Sequence, residues 1–250
     1  MYKYFLFLAL MGLFTSCEDD SQMNSGGDKG DLNINFKLTY GDEPFQMFKN
    51  YKYPETGDMF FMSRLSFYIA EAKLKSPTKR VDIKDIDYIN LTNTYTGSSP
   101  ANGYQYKLTN VEAGQYTNLQ FGIGVPSSSN AKMPKDFAPG TILSSSAEYW
   151  SSWKSYVFFK AEGLIGLNGT SIDHEFALHT GANDAYITID LPKNIQINKG
   201  NVTDVDVTID LKKVFSGTQL FDIRTTQQIH SLSQVPQMKI LVDNIAVAVK

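Results

Sequence analysis

The chain has 250 residues, of which 20% are charged and 42% are hydrophobic, and its formal net charge is −3. A chain of this length can bury a full hydrophobic core, and all-β chains of this size often form a single domain. No basic cluster indicates nucleic-acid binding, and after Phe14 no apolar run is long enough to cross a membrane.

The first 16 residues have the pattern of a secretory signal peptide. One lysine is followed by an apolar run from Tyr4 to Phe14 and then by small residues before Cys17. The ending FTSC resembles a bacterial lipobox, whose cysteine becomes the first mature residue and carries lipid. We therefore expect residues 1–16 to be a lipoprotein signal peptide and Cys17 to be lipidated. The alternative is a spare cysteine inside a cleaved peptide.

The residues after the cysteine predict a flexible tether over 17–31. The stretch EDDSQMNSGGDKGD is acidic and rich in Gly and Ser, so it has too little apolar surface to offset the entropy of ordering. Acidic residues directly after a lipidated cysteine resemble the surface-export signal of Bacteroidetes lipoproteins. These features predict an outer-membrane lipoprotein that faces the cell surface or the periplasm and meets the membrane only through its N-terminal lipid.

Residues 32–250 are predicted to form one domain made of strands. Apolar and polar residues alternate from Leu32 to Tyr40, which is typical of a strand with one buried face. The same alternation returns over 186–191 and 205–211. Further strands are predicted from their β-branched and aromatic residues at Phe60–Leu74, Tyr88–Leu91, Tyr104–Leu108, Tyr116–Val125, Tyr156–Ala161 and Met238–Val249.

These elements predict an all-β fold, a single-domain two-sheet antiparallel sandwich of the immunoglobulin-like kind. Helix is expected only as short turns near Ser144–Trp153 and Leu211–Phe215. The segments 41–58 and 126–155 have little regular pattern. Loops of that length usually carry function or small structure of their own.

Catalytic motifs are absent from the sequence, so we do not expect an enzyme. The chain has neither a nucleophile elbow nor a phosphate-binding loop. Its three histidines are His174, His179 and His230, and imidazole suits copper, zinc and nickel. His174 and His179 point to opposite faces of a regular strand, whereas His179 and His230 can meet only through the fold. A structural hydrogen-bonding role for a lone histidine is the alternative.

The stretch EYWSSWKSYVFFKAEG at 148–163 contains both tryptophans of the chain. Apolar residues on both faces from Tyr156 to Phe159 predict a strand buried on both sides. The tryptophans before it have two interpretations, core residues or exposed aromatics that hold a sugar ring.

Several segments resemble, in order, those of the MbnP-like family of copper-binding, secreted or lipid-anchored bacterial proteins. The resemblance covers nearly all of the chain after the tether. The segments are NINFKLTYGDEPF at 33–45, RLSFYIAEAKL at 64–74, GQYTNLQFGIGVPSSSN at 114–130, YWSSWKSYVFFKAEG at 149–163, FALHTG at 176–181 and IHSLSQVPQMKILVDNIAVAV at 229–249.

The resemblance implies a copper site and its ligands. His179 and His230 match the histidines of the family, and Trp150 matches its first tryptophan. Some relatives carry a tryptophan oxidised to kynurenine beside histidine ligands, made by a di-haem peroxidase-like partner. Trp150 would therefore be a ligand if it is oxidised, and Trp153 and Tyr156 are candidate aromatics at the edge of the site.

The sequence also departs from the family pattern. Two serines separate its tryptophans where the family usually has one residue, and Ser155 stands where a glycine precedes the tyrosine. The leading interpretation is a lipid-anchored protein that captures or stores copper at the cell envelope. The alternative is a surface module on the same fold that binds glycan or protein and holds no metal. Convergence of His179 and His230 would favour copper.

Overall fold

The computed structural model describes residues 27–250. The predicted signal peptide, Cys17 and most of the predicted tether lie outside this range, and the first strand begins at Lys29. The α-helices are α1 (Ser127–Asn130), α2 (Leu211–Ser216) and α3 (Val235–Ala248). The strands are β1 (Lys29–Tyr40), β2 (Glu43–Pro44), β3 (Tyr51–Lys52), β4 (Met59–Lys75), β5 (Arg80–Asn90), β6 (Tyr104–Glu112), β7 (Gly114–Ile123), β8 (Tyr149–Trp150), β9 (Ser155–Ile165), β10 (His174–Gly181), β11 (Ile187–Ile197), β12 (Val202–Asp210) and β13 (Gln228–Ile229).

The strands form two sheets. In the smaller sheet β1 pairs with β12, β2 and β6. The larger sheet has the order β11-β7-β4-β9-β10-β13, and β3 and β5 also pair with β4. The long strand β4 pairs with β9 through its first half and with β7 through its second half. The predicted two-sheet, mostly β architecture is therefore confirmed.

The main core lies between the two sheets. Four of the five alternating residues that the sequence predicted to be buried, Leu32, Ile34, Phe36 and Leu38, are at most 1% exposed, and the fifth, Tyr40, is partly buried. The ring of Phe36 meets Phe67 of β4 and Phe121 of β7 edge to face, at centroid distances of 5.7 and 6.1 Å. Such edge-to-face pairs add to the stabilisation from area burial.

A second, smaller core covers the outer face of the larger sheet. The segment 126–155, which the sequence left without regular pattern, folds back over this face. Tyr156 and Phe158 of β9 pack there, while Val157 and Phe159 pack in the main core. The Tyr156 hydroxyl donates a hydrogen bond to the carbonyl oxygen of Leu143. The strand β9 is thus buried on both faces, as its sequence predicted.

Two of the strand pairings within residues 27–250 are parallel, so the prediction of an antiparallel sandwich was wrong at these two pairings. The strand β12 runs parallel to β1, and β13 runs parallel to β10. The strand β12 begins at Val202, far along the chain from β1, and so long a connection can reach a parallel position that a tight hairpin cannot. The immunoglobulin-like detail of the prediction stays a prediction.

The prediction of a strand at Met238–Val249 was also wrong, because most of this segment lies in the 14-residue helix α3. The β-branched residues suggested a strand, but their spacing is helical. Pro236 stands in the first turn, where its missing N–H costs no hydrogen bond. The buried residues recur every three or four positions, at Met238, Leu241, Val242, Ile245 and Ala248.

The two predicted helical turns have different outcomes. Leu211–Phe215 lies in α2, whose first turn is capped by the side chain of Asp210. The segment Ser144–Trp153 instead holds the end of a 3₁₀ turn and the short strand β8. Within residues 27–250, no helix combines the length and the apolar composition that a bilayer crossing requires.

Replacing Phe36 with alanine should lower the free energy of unfolding by about 3–5 kcal/mol, because the cavity would open where the two sheets meet. Urea denaturation monitored by circular dichroism measures this loss. The matched control is Phe48→Ala, since the Phe48 side chain is 54% exposed and should cost under about 1 kcal/mol. Equal losses in the two variants would contradict the placement of the core.

Candidate metal centre

Four of the predicted site residues lie together at one edge of the larger sheet. The imidazole rings of His179 and His230 are nearly parallel, with centroids 4.9 Å apart. The indole of Trp150 meets both rings edge to face, at 5.1 Å from His179 and 5.2 Å from His230. Trp153 packs against Trp150 at 4.6 Å. Two histidines and two tryptophans therefore form one contiguous cluster.

Strand register explains why the two histidines meet. In the parallel pairing of β10 with β13, Leu178 lies beside Ile229. The next residue on each strand is a histidine, so His179 and His230 become neighbours. The N–H of His230 donates to the side-chain oxygen of Gln234 at 2.9 Å. Partial burial is the main cause that lowers the pKa of His230. The neighbouring His179 lowers it further through charge repulsion.

Trp153 fixes the loop that carries His230. Its indole Nε1–H donates to the carbonyl oxygen of His230 at 3.0 Å. The Trp153 side chain is 5% exposed and lies directly against Gly181. A Cβ atom at Gly181 would come within 2.8 Å of the indole, so a larger residue there would displace the ring.

His179 has one engaged nitrogen and one free nitrogen. Its ring is buried, and Nε2 lies 2.8 Å from Oε1 of Glu162. This hydrogen bond is the main reason that the pKa of Glu162 is lowered. An ionised carboxylate only accepts hydrogen bonds, so this contact favours a proton on Nε2. Nδ1 is buried and has no hydrogen-bond partner among the described residues.

A partly buried charged cluster adjoins this pair. Glu148 accepts hydrogen bonds from Arg64 Nη2 and from the Tyr88 hydroxyl, each at 2.9 Å. Lys160 forms an ion pair with the other oxygen of Glu148, and Arg64 Nη1 lies 3.9 Å from Glu162 Oε1. These residues were not predicted from the sequence. Two charged residues inside an otherwise apolar strand, Lys160 and Glu162, could have indicated the cluster.

Two other residues considered from sequence lie outside the cluster. His174 stands at the start of β10 with an exposed side chain, 3.5 Å from Asp173. The ring of Tyr156, which the sequence predicted at the edge of the site, lies in the outer core. It packs against Tyr68 and Tyr149, because the segment 126–155 covers that face.

The MbnP family model matches residues 29–233. The chain belongs to the MbnP family. Among solved structures, MbnP from Methylosinus trichosporium is similar with a TM-score of 0.50, over 74% of this chain and 77% of that chain, at 11% identity. This likeness shows a shared fold. No curated protein matches the chain. The family resemblance drawn from the sequence is confirmed.

The donor set of this MbnP chain is small. Within residues 27–250, no group of three or more His, Cys, Asp or Glu side chains is arranged to hold a metal ion. Zinc sites normally use three or four protein ligands. Each imidazole nitrogen binds a metal at about 2 Å, so the centroid separation of 4.9 Å leaves room for a shared ion only where a nitrogen of each ring faces it. Nδ1 of His179 has no hydrogen-bond partner among the described residues, so it is available to bind such an ion.

Replacing Trp153 with phenylalanine should loosen the His230 loop, because it removes the indole N–H that bonds to the backbone of that loop. We expect the free energy of unfolding to fall by about 1–3 kcal/mol from the lost hydrogen bond and packing. Amide hydrogen exchange over residues 228–234 should become faster. Tyr149→Phe is the control, since it removes a polar group nearby without touching this bond. Unchanged exchange in Trp153→Phe would contradict the assignment.

Proposed function

We propose that this protein binds copper outside the cytoplasm and captures or stores it at the cell envelope, with His179 and His230 as ligands. The observation that carries the proposal is the side-by-side arrangement of the two imidazoles, one with a buried nitrogen that lacks a partner. Imidazole is a good copper ligand. Membership of the MbnP family supports a copper-related role.

Trp150 is proposed as a third ligand after oxidation. An intact indole offers only an N–H donor and has no lone pair for a metal. The ring is nearly equidistant from the two histidines, so an oxidised side chain at this position would face both. A kynurenine would supply an amine and a carbonyl. We propose a di-haem peroxidase-like protein as the partner that carries out this oxidation.

Lipidation of Cys17 would place the domain at the outer membrane, facing the cell surface or the periplasm. The tether would then hold the copper site away from the bilayer. We propose a binding role without catalysis, since the side chains around the site supply ligands and hydrogen bonds to ligands.

The alternative, a glycan- or protein-binding module, has less support. Stacking of a sugar ring needs exposed aromatic rings in one plane. The planes of Trp150 and Trp153 are inclined at 66°, and Trp153 is only 5% exposed. The two tryptophans therefore do not form a flat platform, and both contact the histidine pair instead.

Titration of the purified protein with Cu(I) and Cu(II), followed by metal analysis after desalting, tests the proposal. We expect one retained copper per chain. His179→Ala and His230→Ala should each weaken copper binding roughly 100-fold or more, since loss of even an outer-shell partner costs 10–100-fold. Each variant removes one of two imidazole ligands.

His174→Ala is the matched control, because His174 is exposed and lies outside the cluster. This variant should bind copper as the unaltered protein does. Intact-mass analysis of the same samples would detect an oxidised tryptophan. Absence of retained copper in the unaltered protein would contradict the proposed function, and an unmodified Trp150 in protein isolated with its native partners would contradict the third ligand.

A further inference from the structure

The carboxylate of Glu162 occupies a specific place in the larger sheet. In the antiparallel pairing of β9 with β10, Lys160 lies opposite His179, so Glu162 is the diagonal neighbour of His179. Diagonal neighbours on one face are within reach of long side chains. In the pairing of β4 with β9, Arg64 lies directly opposite Glu162. Glu162 is therefore flanked by an imidazole on one side and a guanidinium on the other.

The same oxygen of Glu162 faces both neighbours. Oε1 lies 2.8 Å from His179 Nε2 and 3.9 Å from Arg64 Nη1. A carboxylate beside a guanidinium is an acceptor, and it requires the histidine nitrogen that it meets to be the donor. The hydrogen bond made by one ring nitrogen determines which nitrogen of a histidine is left for a metal.

The other nitrogen of His179 is unsatisfied. Nδ1 is buried and has no hydrogen-bond partner among residues 27–250. Buried polar atoms without partners are few in folded proteins and are costly. Each such atom requires an explanation, such as an ordered water, an ion or a functional role. The lone pair of Nδ1 would be satisfied by coordination of a metal ion shared with His230.

We propose that Glu162 is a positioning residue, which fixes the Nε2–H tautomer of His179 and so makes Nδ1 its metal-binding nitrogen. This inference rests on the proposed copper function and specifies the ligand atom within it. Glu162 contacts the ligand and not the ion. Arg64 supports it by holding the same carboxylate oxygen from the neighbouring strand.

The test uses the protein in its metal-free and Cu(I)-loaded forms. Two-bond ¹H–¹⁵N correlation spectra of the metal-free protein report which nitrogen of His179 carries the proton. We expect a protonated Nε2 and an unprotonated Nδ1. In Glu162→Ala this preference should be lost, and the Cu(I) affinity, measured by competition with a chromogenic chelator, should fall roughly 10–100-fold.

Two further variants separate a positioning role from a structural one. Glu162→Gln keeps a side-chain oxygen that can accept from Nε2–H, so it should retain the tautomer and lose less affinity than Glu162→Ala. Glu175→Ala is the control, because Glu175 is exposed and lines a surface groove together with Glu162. It should change neither the spectrum nor the affinity.

The outcomes distinguish this inference from the proposed function. A protonated Nδ1 in the unaltered protein, or an unchanged tautomer and affinity in Glu162→Ala, would overturn the inference while copper binding stands. If the unaltered protein binds no Cu(I), the proposed function fails, and with it the assignment of Nδ1 as a ligand. Loss of the tautomer and the affinity together in Glu162→Ala, with recovery in Glu162→Gln, would support the inference.

Discussion

The burial of β9 on both faces is the constraint on which the candidate site depends. One face of the strand packs in the core between the sheets, and the other lies under the segment 126–155. Charged residues on such a strand must find partners, since an unpaired buried charge is very costly. Lys160 pairs with Glu148, and Glu162 bonds to His179. The strand that packs in both cores thus also supplies polar neighbours of the candidate ligand.

The buried ion pairs are better understood as positioning elements than as a source of stability. Desolvation of two charges can cancel their attraction, so a buried salt bridge is weak evidence of stabilisation. Glu148 stands two residues before Trp150, and its carboxylate is held by Arg64 and Lys160. Its carbonyl oxygen accepts from the N–H of Val157 at 2.7 Å. These contacts tie β8 to the larger sheet and place Trp150 over the histidines.

Sequence reasoning succeeded where one local pattern determines the structure. The alternation of apolar and polar residues over 32–40 could be recognised because β1 has one face towards the core and one towards solvent. It failed at α3, where β-branched content concealed a helical spacing. The family resemblance selected His179, His230 and Trp150, but their contact depends on the parallel register of β10 and β13, which no local pattern encodes. Glu162 was missed because its partner lies on another strand.

The proposed copper centre can be tested most directly by X-ray absorption spectroscopy of the Cu(I)-loaded protein. The central claim is that two imidazoles hold the ion. The account predicts nitrogen ligands with the outer-shell scattering of two histidine rings, and one ring fewer in His230→Ala. The chain also has eight methionines, whose thioethers are good Cu(I) ligands. A first shell dominated by sulfur, or one without imidazole scattering, would contradict the account.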